Sequence, residues 1–407
     1  MTATPAIAIR AIAAGGDGVG TLADGRTVFV PRTAPGDQVT LAGVRLHAKF
    51  ARARLAAVVE PGPGRVAPPC PHYMADQCGG CQLMHLDSAA QRTVKSRIVG
   101  DAMRRIGKLD CEDPVVEAAP EALHYRAKVT FTLRKDILGF HRLGEAGDIF
   151  EVRRCLIIEP ALNDLHQRVR ALRTLLPPDT DQVVLRLDAK GQKHIVVRTT
   201  GAGWQAHRDL GIRIGSDVVL WWHPVDGAAR AVHGANSPWP ATVFEQVNPA
   251  MGAQVRAYAV EALLQGAPTQ AMAWDLYAGI GETTVMLAAA GVQVESVELD
   301  PRAVTLAEEL GPAGPRRLAG DVAHRLVRLS SPDLVITNPP RAGMDEAVTQ
   351  ALLACGARRI VYVSCDPATL ARDIRRMAPR YRLSSLRAFD QFPQTSHVES
   401  VAVLELL

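Results

Sequence analysis

From about residue 241 onward the chain is predicted to adopt a doubly wound α/β fold, on three observations. First, strand-like apolar runs alternate with helical stretches at a steady interval. The runs AMAWDLYA, VQVESVEL, DLVITNPP, RRIVYVSC, YRLSSLRAF and VESVAVLEL are separated by stretches such as TTVMLAAA, PRAVTLAEEL, MDEAVTQALLACG and PATLARDIRRM. Such alternation puts parallel strands into one sheet with helices on both faces. Second, DLYAGIGETT (275–284) follows the first run and opens a helix, with Gly279 and Gly281 supplying a tight turn that a ligand can approach closely. Third, chemistry-bearing residues sit at the carboxyl ends of the runs, where sheets of this kind bind ligands.

Two further parts precede this one. Residues 1–60 hold short alternating runs (TVFVP, VTLAGV, LAAVVE) broken by GGDGVG, ADG and APGD, the punctuation of a small antiparallel β-barrel. PGPGRVAPP (61–69) is a stiff linker. The middle, 61–240 with its linker, mixes a cysteine cluster, a predicted helix over 86–107 and strand-like segments (VTFTLR, GDIFEVRR, QVVLRLDA, HIVVRTT), and reads as α+β.

The bulk numbers set limits. The 407 residues suffice for two or three domains, and 47% hydrophobic with 22% charged residues is ordinary for a globular protein. No apolar run reaches the roughly 20 residues of a membrane helix. MTATPAIAIR has no basic region followed by an apolar core, so we expect a cytoplasmic protein. A net charge of +4 is compatible with nucleic acid without specifying it. The run RLHAKFARAR (45–54) carries Arg45, Lys49, Arg52, Arg54 and His47 with no acid, which is either a solvated basic face or a phosphate contact.

The strand ends are specific. The turn lacks the third glycine of a dinucleotide site and the lysine of a nucleotide P-loop, so it suits a nucleoside without a pyrophosphate. Glu298 ends the second run, placed to accept bonds from ribose hydroxyls, while Asp300 fits a helix amino terminus better. Asp321 ends the third, where it could read an adenine edge. Asn338 ends the fourth, held extended by Pro339-Pro340. Together these ends resemble the S-adenosylmethionine site of doubly wound, Rossmann-like methyltransferases.

Cys365 lies at the tip of the fifth run, VYVSCDP, rather than inside it. A thiol has an ordinary pKa of about 8.5 and its thiolate is a strong nucleophile. Methylation of a pyrimidine at carbon 5 requires such a group: addition at carbon 6 makes carbon 5 nucleophilic, and a base must then remove the carbon-5 proton. Glu399 in FPQTSHVESVAVLEL would serve as that base if an apolar pocket raised its pKa, with His397 as a rival. Cys355 reads as core.

The motifs DLYAGIG, NPPRAGMD, YVSCDPATLARD and FPQTSHVE, in this order, resemble the RNA uracil-C5 methyltransferases, and the resemblance covers nearly the whole chain. It implies Cys365 as nucleophile, Glu399 as base, and Gln246 (in FEQVNP), Tyr277 and Glu298 as cofactor contacts. Two positions depart from the family pattern: Asn338 where many members carry aspartate, and Glu282 where some carry asparagine.

CPHYMADQCGGC gives Cys70-x7-Cys78-x2-Cys81, and RRCLIIEP offers Cys155 as a fourth thiol. Four cysteines can hold zinc or an iron–sulfur cluster, and the spacing does not match two CxxC pairs. The resemblance implies a [4Fe–4S] cluster with a role in folding or RNA binding. The pattern GGDGVG, VFVP, APGDQV resembles the TRAM barrel, an RNA-binding module. The barrel and the cluster together favour ribosomal RNA, with the target uridine single-stranded or flipped out of its stack, and the enzyme acting as a monomer. A transfer-RNA uridine-C5 enzyme, an RNA cytosine-C5 enzyme (whose second cysteine NPPR lacks) and a catalytically dead, metal-containing RNA-binding protein are the competing readings.

Overall fold

The computed structural model describes residues 6–201, 203–234 and 243–407. The chain forms three sheets of six, seven and eight strands.

The first sheet runs Ile7–Ala8, Gln38–Leu46, Phe50–Glu60, Thr27–Pro31, Asp17–Thr21 and Ala11–Ile12 in spatial order. Ile7 pairs with Val39 at one edge and Ala11 with Val19 at the other, so residues 7–12 join the two edges into a barrel. Alternation fills it: Val28, Val30, Val39, Ala51 and Ala53 point inward and are buried. The expected all-antiparallel pairing is corrected at one place. Thr27–Pro31 and Phe50–Glu60 run parallel, where the second arm of the long hairpin closes the barrel.

The central sheet has the order Glu145–Glu151, Ile137–Arg142, Lys128–Arg134, Thr180–Leu187, Lys193–Thr199, Val218–Pro224 and Arg230–His233. One face carries Val129, Phe131, Val183, Leu185, Ile195 and Val197 against the helix Pro160–Ala171. Burying each such large side chain stabilises by roughly 1.5–3 kcal/mol. The expected boundary at 240/241 lies outside the described residues.

The third sheet contains the strands Met272–Leu276, Gln293–Glu298, Arg316–Ala319, Leu334–Thr337, Arg359–Ser364, Tyr381–Phe389 and Glu399–Leu406, here called first to seventh. Their spatial order is third, second, first, fourth, fifth, seventh, sixth. The first and fourth strands are neighbours although distant in sequence, so the crevice beyond their carboxyl ends is the topological switch point of the sheet. The sheet is not wholly parallel, as the alternation had implied: the seventh strand runs antiparallel to both neighbours. The segment 390–398 is too short for a crossover helix, so the chain turns back instead. The two-residue strand Val116–Glu117, from the middle of the chain, pairs with the sixth at the sheet edge.

The helix Ser88–Ala102 joins all parts. Asp87 caps it, accepting from the Ala90 amide at 2.7 Å. Val94 and Ile98 pack with Ile12 and Ala34 of the barrel. Val99, and Met103 just past the helix end, enter the core of the doubly wound domain beside Leu370, Ala371 and Ile374. The helix therefore packs back on that domain.

Candidate active site

The fifth strand ends at Ser364, paired with Ser400 of the seventh. One step further along that antiparallel register sets Cys365 opposite Glu399, the first residue of the last strand. Directly opposed residues in such a ladder have Cβ atoms about 5 Å apart. Asp366 then caps the helix Pro367–Met377, accepting from Ala368 and Thr369 amides at 2.9 and 3.0 Å, which fixes the thiol-bearing turn.

Electrostatics tie the pair together. Glu399 is 3% exposed. Burial pushes its pKa up to about 8, against the pull of the Arg341 guanidinium. The Cys365 thiol is also raised, by burial first and then by Glu399, with Arg341 opposing. Arg341 of NPPR therefore acts electrostatically on both groups, a role the sequence reading did not assign to it. Desolvation first, then Arg341, Lys95 and Arg126, pushes the His397 imidazole below the usual histidine range. Cys355 lies at the end of its helix against the core, its thiol donating to Leu352 O at 3.2 Å.

At the switch point a crevice is lined by Gln246, Asp275, Tyr277, Gly279, Thr283, Ile336, Asn338 and Val363 among others. Gly279 (φ +57°) and Gly281 (φ +77°) adopt the left-handed conformation, and a Cβ on Gly281 would sit 3.3 Å from that of Ala307. Tyr277 is also left-handed at φ +61°, a costly conformation for a side chain of that size. Of the expected cofactor residues, Gln246, Tyr277 and Asn338 line the crevice directly. Glu298 stands behind it: its two carboxylate oxygens accept from the Gly279 and Asp300 amides at 2.8 and 2.9 Å. Asp321 is further out. It caps the short helix Val322–Arg325, with the His324 amide at 3.3 Å. Asp300 caps its own helix, as its position implied.

Three crevice residues are not singled out by the sequence. Asp275 is buried, its pKa pushed up to about 7 by desolvation while the Thr284 hydroxyl donates to it at 2.6 Å. Arg256 pairs with Glu282 at 2.8 Å across the rim, which accommodates the acid standing where some relatives have asparagine. Phe244, 65% exposed, stands at the mouth. The DLYAGIG motif contained the signal for Asp275; nothing local marked Arg256.

Cys70, Cys78, Cys81 and Cys155 line one cavity of about 790 Å³, together with Tyr73, Met84, Phe140, Val152 and Ile157. All are free thiols. Among the described residues no three His, Cys, Asp or Glu side chains converge on a point that would hold a single metal ion. The Gly80 amide donates to Cys78 Sγ at 3.5 Å, and the Ile157 and Ile158 amides bond the Cys155 sulfur. Asn163 clamps the Cys155 backbone through two 2.9 Å bonds. Arg32 of the barrel reaches this loop, stacking on Tyr73 at 4.3 Å and donating to Tyr73 O and Cys78 O. Cys111 lies apart from the cavity lining.

In the barrel the basic run occupies the hairpin of Gln38–Leu46 and Phe50–Glu60. His47 stacks on Phe50 at 4.4 Å, and Arg52 lies 5.9 Å over Phe29. This is a cationic and aromatic surface. No described helix is long and apolar enough to cross a membrane.

Comparison with known proteins agrees with this geometry. The family described as tRNA (Uracil-5-)-methyltransferase matches residues 318–406, which span the third to seventh strands. A protein of Acidithiobacillus ferrooxidans named 23S rRNA (uracil(1939)-C(5))-methyltransferase RlmD is 32% identical, covering 94% of this chain and 93% of that protein. Its namesake in Bordetella avium is also 32% identical, over 94% and 88%. The crystal structure of a Pyrococcus abyssi tRNA (uracil-54, C5)-methyltransferase with S-adenosyl-L-homocysteine superposes with a TM-score of 0.73 over 98% of this chain and 100% of that one, at 21% identity, which establishes the shared fold. With a thiol and a buried carboxyl at adjacent strand ends beside a nucleoside crevice, and relatives of this identity along almost its full length, the chain belongs to the S-adenosylmethionine-dependent RNA uracil-C5 methyltransferases.

Proposed function

We propose that this chain methylates carbon 5 of a uridine in 23S ribosomal RNA, using Cys365 as nucleophile and Glu399 as base. The single observation that carries the chemistry is that Cys365 and the buried Glu399 each lie one residue beyond the Ser364–Ser400 pair of adjacent strands, at the mouth of the sheet. The ribosomal target is supported by the names of the relatives that cover nearly the whole chain; the transfer-RNA alternative has the name of the family matched over residues 318–406 and a shared fold.

The residues in the crevice fit S-adenosylmethionine. Gln246 and Asn338 offer amides and Tyr277 an aromatic edge, while Glu298, behind the crevice and holding the Gly279 amide, and Asp321, at the next strand end, would approach the ribose and the base of the bound nucleoside. When bound, this cofactor supplies an electrophilic methyl group. Cys365 gives up its proton to solvent and its thiolate bonds to carbon 6 of the uracil; the 5,6 double-bond electrons move to carbon 5, which would take the methyl. Glu399, ionised, then removes the carbon-5 proton. The electrons of that C–H bond restore the 5,6 double bond and expel the Cys365 thiolate. The raised pKa of Glu399 suits it to this proton. Arg341, acting electrostatically on both groups, supports the thiolate and the carboxylate in turn. A uridine must leave its stack to reach this cleft.

The four thiols fit a polynuclear cluster better than a lone ion. They share a largely apolar cavity yet no three converge on one point, and tetrahedral zinc would demand sulfurs about 2.3 Å from a single centre. Cys70, Cys78, Cys81 and Cys155 would hold a [4Fe–4S] cluster, whose chemistry here is structural. The barrel, TRAM-like, would place its basic and aromatic hairpin on RNA phosphates and bases. The protein would work in the cytoplasm as a monomer.

The test uses ribosomal RNA fragments carrying 5-fluorouridine. Fluorine cannot leave as a proton, so wild type should accumulate a covalent enzyme–RNA adduct and Cys365→Ala none. Absence of adduct with wild type on ribosomal RNA, and its presence on transfer RNA, would favour the second substrate; absence on both would remove the mechanism.

A further inference from the structure

The segment between the sixth and seventh strands carries no helix or strand of its own, yet it delivers Glu399. Four successive carbonyls in it are bonded from outside the catalytic sheet. Asn248 Nδ2 donates to Gln391 O at 3.2 Å, Lys95 Nζ to Phe392 O at 2.9 Å, Tyr125 Oη to Pro393 O at 2.9 Å, and the Leu83 amide to Gln394 O at 2.9 Å. Lys95 also pairs with Asp390, and both are buried, Lys95 at 0% exposure. Gln91, one helical turn before Lys95, exchanges two bonds with Gln394: its amide nitrogen donates to Gln394 Oε1 at 3.0 Å and its oxygen accepts from the Gln394 backbone amide at 2.8 Å. Gln394 itself is held at φ +71°, a left-handed conformation that a glutamine adopts only under constraint.

Gln91 and Lys95 lie on the helix Ser88–Ala102, whose remaining buried positions are apolar apart from Gly100. Two long polar side chains on a buried face are costly unless their bonds offset the burial. Among the described residues, every side-chain bond they make beyond their own helix's start goes to residues 390–394. We infer that Lys95 and Gln91 are positioning residues for the general base: they fix the 390–394 segment so that the seventh strand begins in the register that sets Glu399 against Cys365. The inference rests on the proposed roles of Cys365 and Glu399. It also joins the cysteine loop to catalysis, since Leu83, two residues beyond Cys81, holds the same segment.

A misplaced base affects one step and spares another. Addition of the Cys365 thiolate to carbon 6 does not need Glu399 to abstract a proton from carbon 5; release of the methylated product does. A displacement on the order of 1 Å at a reacting group slows its step by about a hundredfold. The variants are Gln91→Ala, which removes its two bonds to Gln394 and one to Leu86 O without stranding a charge, and the pair Lys95→Met with Asp390→Leu, which replaces the buried ions together. Each is incubated with the 5-fluorouridine RNA, to read adduct formation, and with ordinary RNA, to read turnover and any methylated adduct that accumulates. The expected result is adduct formation within about twofold of wild type and product release slower by about tenfold to a hundredfold, with the methylated adduct visible on ordinary RNA. Equal loss of both rates would mean a merely structural role, and unchanged release would mean no role; either overturns the inference. Failure of wild type to form the fluorouridine adduct would instead strike the proposed function itself.

Discussion

The crevice between the first and fourth strands and the cleft between the fifth and seventh are built on opposite plans. The crevice is the more local of the two. Its glycine loop, 275–283, is one continuous stretch braced by the acid that ends the next strand, and the topology of the sheet opens the gap that Gln246, Asn338 and Val363 complete from other segments. The cleft is assembled from afar. Cys365 comes from one strand, Glu399 from a strand that reverses direction, and the segment before Glu399 is gripped by residues 83, 91, 95, 125 and 248. From this difference we expect cofactor binding to tolerate variation that the proposed chemical step cannot. A crevice residue works through one hydrogen bond among several, whereas the base must meet one proton.

The largest test of that contrast removes the cleft and leaves the crevice. Cys365→Ala should lower turnover by more than about a thousandfold, the scale of losing a catalytic nucleophile, while calorimetric affinity for S-adenosylhomocysteine stays unchanged. A variant that lost both together would show the two sites to be one. Glu399→Gln comes next. General-base removal costs about a hundredfold to ten-thousandfold, here confined to release, so methylated RNA should stay bonded to the enzyme and be seen as a shifted band under denaturing conditions. In wild type the release rate should rise with pH and level off above about 8, as Glu399 becomes ionised, and the variant should lose that rise.

Much of this contrast was legible in the residues, and the part that was not has a physical cause. Strand–helix alternation and the DLYAGIG, NPPR and SCDP ends pointed to the doubly wound sheet and the thiol's location, because parallel strands signal themselves by continuous apolar runs. The direction of the seventh strand left no such mark; it follows from the shortness of the 390–398 connection. The FPQTSHVE motif pointed to Glu399 by resemblance, but residue pattern alone makes it look like any acid opening a strand, and its burial is seen only in the fold. Gln91 and Lys95 read as the polar side of an amphipathic helix, since periodicity cannot tell a solvated face from a second buried one. The cysteines were visible as a set, but the cavity they share depends on the fold of 70–81 against 152–158.

The cysteine quartet offers an intermediate perturbation of the same comparison. Purified anaerobically, the protein should carry about four iron and four sulfide per chain, the content of one [4Fe–4S] cluster. Cys81→Ser or iron chelation should remove the charge-transfer absorbance and lower Tm. Through the Leu83–Gln394 bond it should slow product release more than it weakens S-adenosylhomocysteine binding. Equal effects on both would place the cluster's influence on the fold at large.

The smallest expected effect lies in stability rather than rate, and its sign is fixed by the burial of Glu399. The folded protein holds this carboxyl's proton up to about pH 8, whereas the unfolded chain releases it near the ordinary value of 4.5. Between those limits the native state binds more protons than the unfolded state, so this group's contribution to stability falls as pH rises. Glutamine has the same shape and no charge to desolvate. Glu399→Gln should therefore match wild type in Tm near pH 5 and exceed it increasingly toward pH 8, as thermal melts across that range would show. Asn338→Asp provides the contrast at the crevice, where a half-open site screens the added charge. Its Tm should follow wild type at every pH, with affinity for S-adenosylhomocysteine changed by less than about tenfold. If the two variants shifted Tm alike, the cleft would be no drier than the crevice, and the buried carboxyl could not be the source of the proton-abstracting power assigned to it.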